Sequence, residues 1–234
     1  FIDNAGGVDC SDHEVNIKIL LNEIVTAGDM TGKQRNTLLA EMTEDVGNLV
    51  LGNNYKQTQA LSLAERRARE RQGEYKRLMA ALEAAGKLDR ALEFLPSEEE
   101  LNERATKGQG LTRPELSVLI SYSKIELQEA LIKSDITDDE YLSREMETAF
   151  PPRLAQEYGE AMRRHRLKRE IVSTQIANDL VNHMGITFVQ RLKESTGVGS
   201  AQVAAAYVVV RDVFHLPFWW RQIEALDNQV PADL

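Results

Sequence analysis

Leu111-Thr112-Arg113-Pro114-Glu115-Leu116-Ser117-Val118-Leu119-Ile120-Ser121-Tyr122-Ser123-Lys124-Ile125-Glu126-Leu127-Gln128-Glu129-Ala130-Leu131 is the stretch that decides the fold. Thr112 stands where a helix cap belongs, and Pro114 follows early in the first turn, where its missing N–H is no loss. Leu116, Leu119, Ile120, Ser123, Leu127, Ala130 and Leu131 then recur at helical spacing, which predicts one long amphipathic helix.

The same pattern repeats on both sides. Upstream, Pro96-Ser97-Glu98-Glu99-Glu100 reads as a helix start, with acids complementing the helix dipole. That short helix stops at Lys107-Gly108-Gln109-Gly110. A helical pattern runs from Tyr55 to Ala85, with Gly86 as its C-cap and Gly52-Asn53-Asn54 as punctuation before it. Arg66, Arg67, Arg69 and Arg71 lie in it, interleaved with Glu65 and Glu70, and read as a solvated face with ion pairs one turn apart. Thr31 is placed to cap a further helix carrying Leu38, Leu39, Met42 and Val46. Downstream, Asp138-Asp139-Glu140 predicts a helix bearing Tyr141, Leu142 and Met146, stopped by Phe150-Pro151-Pro152. A helix from about Arg153 reaches Arg163 to Arg169, and another continues through Ile171, Ile176 and Leu180 to Gly185. Thr187 opens a short helix, Ser200 reads as the cap of the next, and an aromatic cluster from Phe214 to Trp220 suits a core or a subunit contact. The expectation is an all-α body of about ten helices.

The N-terminal stretch Phe1-Ile2-Asp3-Asn4-Ala5-Gly6-Gly7-Val8-Asp9-Cys10-Ser11-Asp12-His13-Glu14-Val15 reads differently. Two apolar residues suggest the end of a buried strand, so the helical body would carry a short N-terminal strip from an α/β domain. Gly6-Gly7 suggests a turn that lets backbone approach a ligand. Ser11 and Glu14 have the spacing of a capping box, and the free N–H groups of such a helix end seat a carboxylate or phosphate.

Composition narrows the function classes. The 234 residues carry a net charge of −9, which disfavours a nucleic-acid partner. No apolar run reaches the ~20 residues that span a bilayer, and no signal peptide is visible, so no membrane partner and a cytoplasmic location are expected. The single cysteine, Cys10, excludes an internal disulfide and is expected to be a packed thiol. Zinc-binding, nucleophile-elbow and Walker patterns are missing, and the four histidines are scattered, so no metal ligand is assigned. A start at Phe1 reads as a piece of a longer polypeptide.

Asn4-Ala5-Gly6-Gly7-Val8, with Ser11 three residues on, resembles the corresponding segment of glutamate dehydrogenases. The longer string from Asn4 to Leu21 resembles the large-subunit, NAD-dependent bacterial class. So do Leu111–Leu116, His165–Glu170, Ala177–Asn182 and Ile223–Asn228, so the resemblance covers essentially the whole chain. It implies oxidative deamination of L-glutamate to 2-oxoglutarate and ammonium, with NAD as cofactor. It also implies cofactor contacts from Asn4 and Gly6, and substrate contacts from Gly7, Val8 and Ser11, whose hydroxyl would meet the distal carboxylate. Asp9 is unfavourable beside an anionic substrate unless it turns away. The catalytic lysine and aspartate and the glycine fingerprint for NAD are expected upstream, so no catalytic residue is assigned and the fragment alone should be inactive. Residues 1–29 would be the tail of the catalytic domain. Residues 30–234 would be a C-terminal helical domain acting as scaffold, regulator or part of a homo-oligomer. The alternative is a non-enzymatic α-helical protein-interaction module.

Overall fold

A computed structural model describes residues 5–230. Its helices, in chain order, are α1 (Ala5–Ala27), α2 (Gly32–Glu41), α3 (Thr43–Arg66), α4 (Gln72–Ala84), α5 (Glu98–Thr106) and α6 (Arg113–Ile132). Two 3-10 segments follow, Asp135–Asp138 and Leu142–Ala149, and then α7 (Pro152–Arg163), α8 (Lys168–Met184), α9 (Phe188–Thr196), α10 (Ser200–Val213) and α11 (Leu216–Glu224). Among the described residues there is no strand, and the all-α expectation holds. The strand suggested for the first residues lies outside the described part.

α6 and α8 form the most extensive helix pair and the centre of the fold. α6 buries Leu116, Leu119, Ile120, Leu127 and Leu131. α8 buries Ile171, Val172, Ile176, Leu180 and Val181 in the same hydrophobic cluster. Each such side chain contributes about 1.5–3 kcal/mol on leaving water. α3 packs across both helices, α1 packs on α3, and α10 closes the other side against α6, α8 and α9. The second 3-10 segment lies against α8 and α7.

Local chemistry sets most of the boundaries. Thr31 and Ser97 are N-caps, each accepting from the backbone N–H three residues on and completing a capping box with Gln34 and Glu100. At the start of α6, Glu115 accepts from the Thr112 N–H at 2.7 Å. Gly28, Gly86 and Gly185 take positive φ just past α1, α4 and α8, as expected of helix stops. Gly110 is needed for contact: a Cβ there would lie 2.7 Å from the backbone of Ala68 and Arg69.

Several expectations are corrected. The pattern from Tyr55 to Ala85 breaks at Arg67–Arg71 to bury Ala68, giving α3 and α4 in place of one helix. Gly52-Asn53-Asn54 does not punctuate the chain but lies inside α3. Leu142–Ala149 is 3-10 and not α, because Asp139 accepts from the Leu142 N–H at 3.0 Å and starts a tight turn. The helical run through Arg163–Arg169 is interrupted after Arg163, where His165 turns inward and is buried. Gly199 occupies the cap position of α10 in place of Ser200, which is buried in its first turn. Phe214, Phe218 and Trp219 are exposed, so they do not belong to the core of these residues.

Truncating the α6 core should be expensive. Leu119→Ala should lower unfolding free energy by about 2–5 kcal/mol, whereas Ile125→Ala, on the exposed side of the same helix, should change it by less than about 1 kcal/mol. Urea unfolding of the two variants measures the difference.

Candidate functional site

The glycine-rich motif opens α1, whose two halves differ. Ile17, Leu20, Leu21 and Ile24 sit in the core. Val8 is 51% exposed, and Gly7, Cys10 and Ser11 also face solvent. The helix therefore has a buried C-terminal half and a projecting N-terminal half that carries the candidate substrate residues.

Two readings of this stretch change. Gly6 and Gly7 are inside the helix and have no positive φ, so they form no turn. Glycine costs only about 1 kcal/mol in a helix, and burial further along α1 offsets that. Ser11 is not a cap, because a cap needs non-helical backbone and the helix has already begun at Ala5. Ser11 instead lies one turn beyond Val8, on the same side. A Cβ on Gly6 would meet only Asn54 Nδ2, at 3.8 Å, so the described surroundings leave room there. Cys10 is exposed and not packed. Asn4 lies outside the described residues.

Polar contacts to several elements hold α1. Asp9 Oδ2 accepts from Asn53 Nδ2 at 2.6 Å and from Asn54 Nδ2 at 3.4 Å, so this acid turns away from Ser11 toward α3. The ring nitrogen Nδ1 of His13 lies 2.9 Å from the Ala149 carbonyl. Buried His165 places Nε2 3.1 Å from the Asn16 carbonyl, while its Nδ1 accepts from the Leu167 N–H. Burial pulls the His165 pKa down, consistent with a neutral strut.

Beside these turns lies a cleft of about 910 Å³, walled by α1, α3, α6 and α8. Lys124 reaches into it and donates to Gln57 Oε1 at 2.8 Å. Burial pushes its amine down to about 8, against a smaller opposite pull from Asp9. Asp12 is raised, first by burial and then by Asp9.

At the far wall, one guanidinium serves three carboxylates. Arg211 donates to both oxygens of Glu145 (2.9 and 2.5 Å), to Asp179 at 2.8 Å and to Asp212 at 2.9 Å. Tyr207 adds a hydrogen bond to Asp179 at 2.9 Å. His183 sits 3.0 Å from Asp179 and stacks on Trp220 with ring centroids 3.8 Å apart. Burial alone would raise the Asp179 carboxyl, but His183 and Arg211 together bring it down to about 2. The cluster ties α10 to α8 and to the second 3-10 segment. Sequence reading missed both it and the Asp9 contact, since Arg211 and Glu145 are 66 residues apart and Asp9 and Asn53 are 44 apart. Among the described residues, no group of three His, Cys, Asp or Glu is placed to hold a metal ion.

Residues 108–234 match the family described as glutamate dehydrogenase, C-terminal, and residues 1–64 match the bacterial NAD-glutamate dehydrogenase catalytic domain. The chain belongs to the glutamate dehydrogenase C-terminal family. It is 80% identical over 234 residues to the NAD-specific glutamate dehydrogenase of Pseudomonas aeruginosa and 60% identical over 234 to that of Halomonas elongata. It is 37% identical over 224 residues to the Mycobacterium tuberculosis protein of the same name. The matches take in 100%, 100% and 96% of this chain and 14% of each relative, so the chain spans a small part of their length. No solved structure matches it.

Two pH effects follow from the buried groups. Lys124 is harder to protonate folded than unfolded, so stability should rise as pH increases from about 8 toward 10.5. Lys124→Met should remove that rise. Asp179 contributes fully above its unfolded value of 3.8, and the contribution should fade as pH falls toward about 2. Arg211→Ala, which strands Glu145 and Asp179, should cost about 3–5 kcal/mol at neutral pH. Urea titrations across pH, with and without these changes, check all three.

Proposed function

We propose that the chain is part of an NAD-dependent glutamate dehydrogenase that converts L-glutamate, NAD and water to 2-oxoglutarate, ammonium and NADH. The observation that carries this reading is the projecting end of α1, where Gly7, Val8 and Ser11 are solvent-facing while the rest of the helix is anchored in the core. Val8 packs on the aliphatic part of glutamate. Ser11, one turn on, donates to the distal carboxylate. Gly7 keeps side-chain bulk away from the substrate. Asp9 points at α3 and so does not repel the anion.

Bound NAD would supply the hydride acceptor for oxidation at the α-carbon. The residues here suit only an edge of its site: the described part has no strand-to-helix glycine fingerprint, and the candidates are Asn4 and Gly6. The dinucleotide fold and the catalytic lysine and aspartate belong to other parts of the polypeptide, and the fragment alone is inactive. Residues 1–29 form the tail of the catalytic domain, and residues 30–234 a scaffold that packs on it and helps build a cytoplasmic homo-oligomer. Val209, Val213, Phe218, Trp219 and Ile223 on α10 and α11, with Phe214 between them, are exposed apolar side chains that support such packing. A non-enzymatic interaction module would explain that face equally well, but leaves the Gly7-Val8-Ser11 end of α1 without a role.

In the complete enzyme, Ser11→Ala should raise the glutamate KM about 10-fold or more, at unchanged NAD KM. An unaltered glutamate KM would remove Ser11 from the substrate carboxylate. A folded enzyme with no glutamate-dependent NADH formation would overturn the assignment.

A further inference from the structure

We propose that Asp9 is a positioning residue: clamped by Asn53 and Asn54 of α3, it sets the rotation of the first turns of α1 and thereby the direction in which Val8 and Ser11 face the substrate. This rests on the substrate role of Ser11 given above.

The argument starts from helical geometry. Successive residues are about 100° apart around an α-helix, so Asp9 and Ser11 lie about 160° apart and point to opposite sides. Fixing Asp9 on α3 therefore turns Ser11 outward. The clamp is also the tether nearest the motif. The first fully buried side chain of α1 is Ile17, about 13 Å beyond Val8 along the axis. Between them the ties are His13 to the Ala149 carbonyl and, at the far end, the Asn16 carbonyl to His165. A helix end with so little packing frays and twists unless a side chain holds it.

The clamp is built for a carboxylate. Two neighbouring amides converge on one oxygen, Asp9 Oδ2, at 2.6 and 3.4 Å, and Asn54 is itself aimed by a bond from its Nδ2 to the Val50 carbonyl at 2.9 Å. Amide N–H groups donating to an ionised acceptor make stronger bonds than neutral pairs. Lys124 lines the adjoining cleft and is attracted to the Asp9 carboxylate. Asp9 is thus oriented toward α3, away from the face that carries Ser11. The substrate-side chemistry of α1 depends on a residue that touches no substrate.

The test uses the complete enzyme and four forms: wild type, Ser11→Ala, Asn53→Asp, and the exchanged pair Asp9→Asn with Asn53→Asp. Asn53→Asp sets two carboxylates against each other and should raise the glutamate KM about fivefold or more, with NAD KM and melting temperature near wild type. The exchanged pair restores a donor opposite an acceptor and should return the glutamate KM to within about twofold of wild type. If Ser11→Ala raises the glutamate KM while Asn53→Asp leaves it unchanged, the clamp is overturned and the Ser11 role stands. A KM rise in Asn53→Asp that the exchanged pair fails to reverse also overturns it. If Ser11→Ala has no effect, the substrate reading falls and takes the clamp with it. Should Asn53→Asp not fold, the exchanged pair decides alone, and a raised glutamate KM in it counts against the clamp.

Discussion

The burial of α6 against α8 is the contact on which everything else is stacked. Leu119, Ile120 and Leu127 on one helix and Val172, Ile176 and Leu180 on the other are almost wholly removed from water. The remaining layers stack on this pair directly or through one another. α3 lies across it, α1 lies on α3, and α10 closes its opposite side. The projecting motif of α1 is therefore positioned at second hand, through α3 and through the contacts of His13 and His165. A disturbance of the central pair reaches the motif through packing, and no direct contact is needed.

Around that apolar centre the polar groups are few and heavily shared. Arg211 offsets Glu145, Asp179 and Asp212 at once, and Asp179 also takes hydrogen bonds from Tyr207 and lies beside His183. A buried ion group of this kind adds little net stability over an apolar replacement, but it tolerates only one arrangement of its members. It pins α10, α8 and the second 3-10 segment in one register. Lys124 is the contrasting case, a part-buried amine with an amide as its close partner. Its charge is a burden that the cleft carries.

Legibility in the sequence followed the range of the interaction. α6 was readable because its cap, its early proline and its apolar spacing are all local. Thr31 with Gln34 and Ser97 with Glu100 were readable for the same reason. Asn53-Asn54 was not: the pair has turn-like composition, yet α3 runs through it because Val50, Ala60 and Leu61 are buried on one side. The 3-10 form of Leu142–Ala149 turned on a single backbone-to-carboxylate bond at Asp139. In the candidate site, resemblance pointed to Gly7, Val8 and Ser11 while the glycine pair suggested a turn, and α1 is helical through all of them. The Asp9–Asn53 contact had no local signal, since its meaning exists only once α1 is laid on α3.

Because one unbroken helix joins the motif to the core, the spacing between Ser11 and Ile17 has discrete allowed values. Adding one residue between them would advance the motif by about 1.5 Å and swing it by about 100°, moving Ser11 off its side and Asp9 off its amides. Adding seven would nearly restore the angle but carry the motif some 10 Å outward. No insertion short of rebuilding α3 satisfies both. Substitutions in this segment can be absorbed one at a time, but its length cannot drift.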